Sequence, residues 1–282
     1  MFILSLSLKP KYSIPDKKFN LYGKLILTKR DVMTETEDKI SQAREEIENA
    51  SNIVILTGAG ISAESGVPIF RGQEGLWQNY RPEELATLEA FWKDPKLIWE
   101  WYDWRRNAVK DAKPNPGHYA LSELENNLQK VTLVTQNIDG LHQMAGSSGV
   151  IEMHGNLWQI RCTKCGDIEQ NFDVPLRELP PKCKKCGEIG RPNVVWFGEM
   201  IEMSLIDSIL KAIEECQVML IIGTSGVVEP AASMGLVAKQ ANKTVIEINL
   251  DETPSAGLYD IVIREKSGEI LPLLFTSNRT LS

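Results

Sequence analysis

The chain has 282 residues, of which 43% are hydrophobic and 24% charged, and its net charge is −7. That length can bury one substantial core with small insertions, and the balance is too apolar for a disordered chain. The acidic excess argues against a broad phosphate-binding surface, so direct nucleic-acid binding is not expected.

Residues 1–32 carry seven basic and two acidic side chains, the reverse of the remainder. They read as an N-terminal extension, and a start at Met33, ahead of "MTETEDKISQAREEIENA", would leave a complete domain. "MFILSLSL" has no basic stretch before it and is too short for a signal sequence or a membrane span, so the expected setting is cytoplasmic, without membrane contact.

Four apolar runs then read as strands: "IVILT" from 53, "VTLVT" from 131, "VMLII" from 218 and "TVIEI" from 244. Stretches of helical periodicity such as "GHYALSELENNLQK" and "SLIDSILKAIEE" lie between most of them. Alternating strands and helices predict an α/β fold with a Rossmann-like parallel sheet, whose strand ends face one ligand crevice. The continuations are polar or glycine-rich: "GAGISAESG", "QNIDGLH", "GTSGV" and "NLDET". The first, with Gly58, Ala59 and Gly60, suits a pyrophosphate against backbone N–H groups. It lacks the third glycine, with Ala63 in that place, and lacks a later acidic strand end, so an ordinary dehydrogenase is not indicated. A tight turn needing small residues is the competing reading.

Two insertions interrupt this plan. Residues 76–113 form a helical insertion containing "WEWYDWRR", in which Tyr102 and Arg105 are three apart on one helical face. A hydroxyl and a guanidinium could there address one small anion. A helix packing its aromatic rings on the core, with solvated arginines, competes on periodicity. Residues 156–192 contain Cys162, Cys165, Cys183 and Cys186 in two Cys-x2-Cys pairs. A spacer of ~15–20 residues between such pairs is that of a four-thiolate zinc site, closed to substrate and therefore structural. Two disulfides are the alternative, disfavoured in a reducing compartment. Cys216 reads as a core residue. The expected organisation is thus an extension over 1–32, a Rossmann-like domain from 33–155 and 193–282, and the zinc module between.

Read together, "GAGISAESGVPIFRG", "TQNIDGLH", "EMHGN", the cysteine pairs, "PNVVWFGE" and "GTS" closely resemble the sirtuin family of NAD-dependent protein-lysine deacylases. The motifs follow the family's order from about residue 40 to 275. The resemblance implies that NAD is consumed as a co-substrate, its nicotinamide bond breaking as the amide oxygen of an acyl-lysine captures the ribose carbon. It implies that Asn137 and Asp139 line the nicotinamide pocket with Gln136 and Ile138, and that His154 is the general base on a ribose hydroxyl. Phe70 and Arg71 would close over NAD; Gly223, Thr224 and Ser225 would hold phosphates and ribose; Asn249, Leu250 and Ser267 would lie at the adenosine end. A substrate strand would thread between Val195, Trp196, Phe197, Gly198 and Glu199 on one side and Val227 on the other. His118 and His142 match framework positions.

Within that family Tyr-x-x-Arg in this region marks the class III branch, so Tyr102 and Arg105 imply acidic acyl groups, succinyl or malonyl, with acetyl as a further substrate. Ala63 is small enough for a longer acyl chain. Partners would be acylated lysines of proteins. The rival functions are protein mono-ADP-ribosylation and a non-catalytic zinc and Rossmann binding module.

Overall fold

The structure, a computed structural model, describes residues 29–69, 81–127 and 130–275. The chain divides into two compact units, Met1–Asp38 and Lys39–Ser282. The first is described only from residue 29, where helix α1 (Lys29–Asn49) begins. The second contains the sheet, both insertions and every residue considered below.

A six-stranded sheet organises that unit. Its strands are β1 (Asn52–Thr57), β2 (Lys130–Thr135), β3 (Ile151–Glu152), β7 (Val218–Ile222), β8 (Thr244–Ile248) and β9 (Ile261–Ile263), all paired parallel in the order β3-β2-β1-β7-β8-β9. The apolar runs are continuous because both faces are covered. Ile53 and Ile55 of β1 face a layer that includes Ile47 of α1, Leu121 of α6 (Pro116–Asn127) and Leu271 of α10 (Ser267–Phe275). Val54 and Leu56 face the opposite layer with Ile209 of α8 (Met203–Glu215) and Met234 of α9 (Ala231–Gln240). Each fully buried aliphatic side chain contributes about 1.5–3 kcal/mol, so burial on both faces adds to the hydrogen-bonded ladder in holding these strands in register.

The chain order turns outward on both sides of β1, toward β2 on one side and β7 on the other. The ends of these strands therefore diverge around a crevice, the topological switch point where ligands enter such sheets. Short helices α2 (Ala59–Ala63) and α7 (Leu141–Met144) follow β1 and β2 at that edge.

A third core lies beneath the two insertions. Helices α3 (Pro82–Leu85), α4 (Leu88–Lys93) and α5 (Pro95–Val109) form the first. Asp94 caps α5 by accepting from the Leu97 amide at 3.0 Å, with Pro95 opening the first turn. A three-stranded antiparallel sheet of β4 (Gly155–Cys162), β5 (Ile168–Gln170) and β6 (Gly190–Val194) forms the second, reaching slightly past the 156–192 expected for it. No helix among the described residues is long and apolar enough to cross a membrane.

Candidate active site

The crevice opens into a cavity of about 720 Å³, large enough for a dinucleotide portion and a substrate side chain. Gly58, Ala59 and Gly60 on its wall meet Gly223 and Thr224 from the end of β7. The two loops touch backbone to backbone, with Gly60 N donating to Gly223 O at 2.7 Å. A Cβ on Gly60 would sit 2.7 Å from Gly223 Cα, and Gly223 has φ +59° with a would-be Cβ 2.5 Å from Ile61 N. The glycines are thus dictated by loop contact as well as by any ligand.

From the end of β2, Gln136 Nε2 donates to Thr224 Oγ1 at 2.9 Å, and Asn249 Nδ2 beyond β8 donates to Thr224 O at 2.7 Å. Three strand ends are so tied into one wall. Asn137 is buried on that wall, its Nδ2 donating to Gly58 O at 3.0 Å and Ser62 Oγ at 3.1 Å. Behind it Thr57 and Thr135, opposite each other in register, share a hydrogen bond of 2.8 Å, and Thr57 Oγ1 lies 2.9 Å from His142 Nε2. The His142 and His118 rings lie 4.9 Å apart with 56° between their planes, and burial lowers their pKa values to about 3 and about 4 respectively, leaving both imidazoles neutral.

His154 follows β3 and lines the cavity. Its Nδ1 lies 2.9 Å from Gln136 O. A carbonyl only accepts, so Nδ1 carries the hydrogen and Nε2 is left as the basic nitrogen. Burial lowers the imidazole pKa below its ordinary 6.5, opposed in part by that carbonyl bond.

At the other end, α5 presents Tyr102 to the cavity. Trp196 Nε1 donates to the Tyr102 hydroxyl at 2.8 Å, and burial pushes the phenol up to about 12. Arg105 is buried one turn along, its guanidinium 5.4 Å from the Trp101 ring; burial lowers its pKa to about 10, against the attraction of Tyr102 and Asp139. Arg106 is buried too, donating to Leu157 O at 3.0 Å and Asn171 Oδ1 at 2.7 Å. The arginines of this helix are therefore interior groups and not solvated ones.

The four cysteines converge away from this cavity. Their Sγ atoms lie within 4.8 Å of one another, at 3.4 Å for Cys162 to Cys186, 3.8 Å for Cys165 to Cys183 and 3.6 Å for Cys186 to Cys165. Tetrahedral zinc with Zn–S bonds of about 2.3 Å requires sulfurs about 3.8 Å apart, and none of these pairs is a disulfide. Amides of Lys164 and Cys165 donate to Cys162 Sγ, as that of Lys185 does to Cys183 Sγ, the N–H···S pattern that favours thiolates.

Residues 58–230 match the family model described as the Sir2 family. The chain belongs to the Sir2 family. Among Sir2 relatives it is 52% identical over 216 residues to a protein of Aquifex aeolicus named NAD-dependent protein deacylase, covering 77% of this chain and 90% of the relative. Among solved Sir2 structures, a Sir2 homologue–NAD complex matches with a TM-score of 0.78 at 46% identity, covering 83% of this chain and 92% of the other. A structure described as Sir2–p53 peptide–NAD+ matches with a TM-score of 0.73 at 29% identity, covering 83% and 95%.

Of the residues expected at a Sir2 site, Gly58, Ala59, Gly60, Gln136, Asn137, Ile138, His154, Gly223, Thr224, Ser225, Asn249 and Tyr102 line this one cavity, together with Val195, Trp196, Phe197, Gly198 and Glu199. Others stand apart from its lining. Asp139 is buried behind Asn137, its Oδ1 accepting from Leu141 N at 2.9 Å, and burial raises its pKa. Arg105 is buried and not among the lining residues. Ala63 is exposed at the end of α2, Leu250 and Val227 are exposed, and Ser267 is buried beside Glu64 at the start of α10. Phe70 and Arg71 lie outside the described residues. Val195–Glu199, expected to flank a substrate strand, follows β6 as a loop with a turn at Gly198, with Val195 N donating to His154 O and Phe197 N to Ala86 O, both at 2.9 Å. Sequence reasoning missed Ser62, Thr57 and Thr135; matching threonines at two strand ends was the available signal.

Proposed function

We propose that this chain is an NAD-dependent protein-lysine deacylase that removes succinyl and malonyl groups, and acetyl as well, giving nicotinamide, acyl-ADP-ribose and free lysine. The deacylase part is supported by Sir2 membership and by the relatives' names. The acyl preference is carried by one observation: the Tyr102 hydroxyl on the cavity wall with buried Arg105 one helical turn away. A carboxylate at the end of an acyl chain would gain a phenol hydrogen bond and the attraction of the buried guanidinium. A methyl group gains neither.

NAD would lie along the wall built from Gly58–Gly60, Gly223–Ser225 and Asn249, with nicotinamide toward Asn137. As the ribose–nicotinamide bond breaks, the acyl-lysine oxygen bonds to the ribose carbon. His154 Nε2 would then take the proton of a ribose hydroxyl, whose oxygen attacks the amide carbon; the C–N bond breaks as the lysine amine leaves carrying a proton, and one water supplies the oxygen that completes acyl-ADP-ribose. Asp139 acts on this wall by holding the turn after Asn137. Zinc, held by the four thiolates, would brace the small sheet from which Val195–Glu199 emerges. Five cysteines free of disulfides suit a reducing, cytoplasmic setting.

The test is mass spectrometry of succinylated, malonylated and acetylated peptides with NAD. Arg105→Met is expected to cut desuccinylation by roughly 10–100-fold while deacetylation stays within a few-fold. Equal loss of both would remove the acyl assignment.

A further inference from the structure

Arg191, at the start of β6, makes an unusual set of contacts for a strand residue. It is only 9% exposed, and its guanidinium lies 3.7 Å from the centre of the Trp196 ring. Nη1 donates to Glu199 Oε1 at 2.6 Å; Nη2 donates to Glu199 Oε2 at 2.7 Å and to Val194 O at 3.0 Å. Glu199 Oε2 also accepts the Trp196 backbone N–H at 2.9 Å. Trp196 is thus gripped on its ring face by Arg191 and along its backbone by the carboxylate that Arg191 holds.

Trp196 is also one of the residues that line the cavity. Trp196 Nε1 donates to the Tyr102 hydroxyl, and an indole N–H can only donate. Tyr102 is therefore the acceptor in this bond, and its own hydrogen is left to be donated elsewhere. That polarity suits an incoming carboxylate and offers nothing to a methyl group. Trp99 Nε1 meanwhile donates to Gly190 O at 2.8 Å, so α5 is pinned to β6 immediately beside Arg191.

We infer that Arg191 is a positioning residue for acyl selectivity: through Glu199 and Trp196 it fixes the place and polarity of the Tyr102 hydroxyl. The inference rests on the acyl reading proposed above. Only a planar guanidinium can form the two-pronged carboxylate bond and lie on the indole face at once, so lysine would supply the charge without the geometry.

The test uses the full chain carrying Arg191→Gln, Arg191→Lys or Trp196→Phe, the last keeping a ring while deleting the indole N–H. The ratio of desuccinylation to deacetylation, each as kcat/KM, is expected to fall roughly tenfold in Arg191→Gln and Trp196→Phe and less in Arg191→Lys. In parallel, 3-fluorotyrosine at position 102 should give one sharp 19F resonance in the parent and a shifted or broadened one in Arg191→Gln. A parent-like ratio in Arg191→Gln overturns the inference even if both rates drop, because a merely structural role lowers them together. A parent-like ratio in Trp196→Phe also overturns it, and decides the matter if Arg191→Gln fails to fold. If the parent removes no acidic acyl group, the acyl reading fails and the 19F resonance alone decides whether Arg191 positions Tyr102.

Discussion

Gln136 and His154 follow neighbouring parallel strands, and the backbone carbonyl of the first holds the imidazole of the second through Nδ1 at 2.9 Å. The bond selects one tautomer, so basicity resides on Nε2 before any ligand arrives. Replacement of His154 by Ala is expected to lower the deacylation rate by about 10²–10⁴-fold, the usual contribution of a positioned base. Nicotinamide release with an acylated peptide measures it, and a variant with parent activity would end the assignment.

The pH dependence follows from the same residue. The base works when neutral, and burial lowers its pKa below 6.5, so protonation sets in only as pH falls beneath that value. The acid limb of kcat/KM should therefore be centred below pH 6.5, with a plateau through neutrality. An acid limb centred above 6.5 contradicts a buried, neutral His154.

The neighbouring rings of His118 and His142 make a separate prediction about stability. Their folded pKa values are depressed to about 4 and about 3, so between 6.5 and those values the unfolded chain binds protons that the native state refuses. Stability conferred by the neutral pair is thus full above pH 6.5 and is lost as pH falls toward 4, at about 1.4 kcal/mol per pH unit for each imidazole. Thermal melting from pH 7 to 4 checks this. His142→Asn should flatten the slope of Tm against pH even though it lowers Tm itself, and an unchanged slope would refute the account.

Removal of zinc should unfold the small sheet. One zinc per chain is expected by atomic emission on protein prepared without chelator, with Cys165→Ser reducing occupancy and lowering Tm. Metal content indistinguishable from background in the parent would leave the four thiolates without their ion.

Glycines separate loop contact from open space. Gly223→Ala should cost at least about 1 kcal/mol from its left-handed backbone alone, with further loss from the collision with Ile61 N, and should raise the KM for NAD. Gly257→Ala meets no atom within 4 Å and serves as the control, expected to match the parent in chemical denaturation.

The sequence carried the architecture where burial is complete and local. β1 and β7 are nearly continuous apolar runs because both faces are covered, and β2 and β8 are apolar apart from residues such as Thr132 and Glu247, whereas β3 and β9 span two and three residues and are too short to show any period. Cys-x2-Cys pairs are legible because the ligand geometry is set within each pair. The Tyr102–Arg105 face is legible as helical spacing, yet its partner Trp196 lies 94 residues away, and nothing local announces that bond. Arg191 is hidden for the same reason: in "GRPNVV" it looks like one more basic residue, and its contacts exist only once Glu199 and Trp196 fold back upon it. Ala63 shows the converse, a position suggested by resemblance that the fold leaves on the surface.

The central place of β1 in the sheet has a consequence for biosynthesis. Gln217, which opens the β7 side, follows Asn52 by 165 residues and donates to its backbone. A nascent chain emerging from the ribosome therefore presents β1 with one edge bare for most of translation, a template for wrong pairing. Gly60 has no Gly223 to lean on during that interval, so the nucleotide cannot act as an early folding template. That wall can form only after β7 has left the exit tunnel.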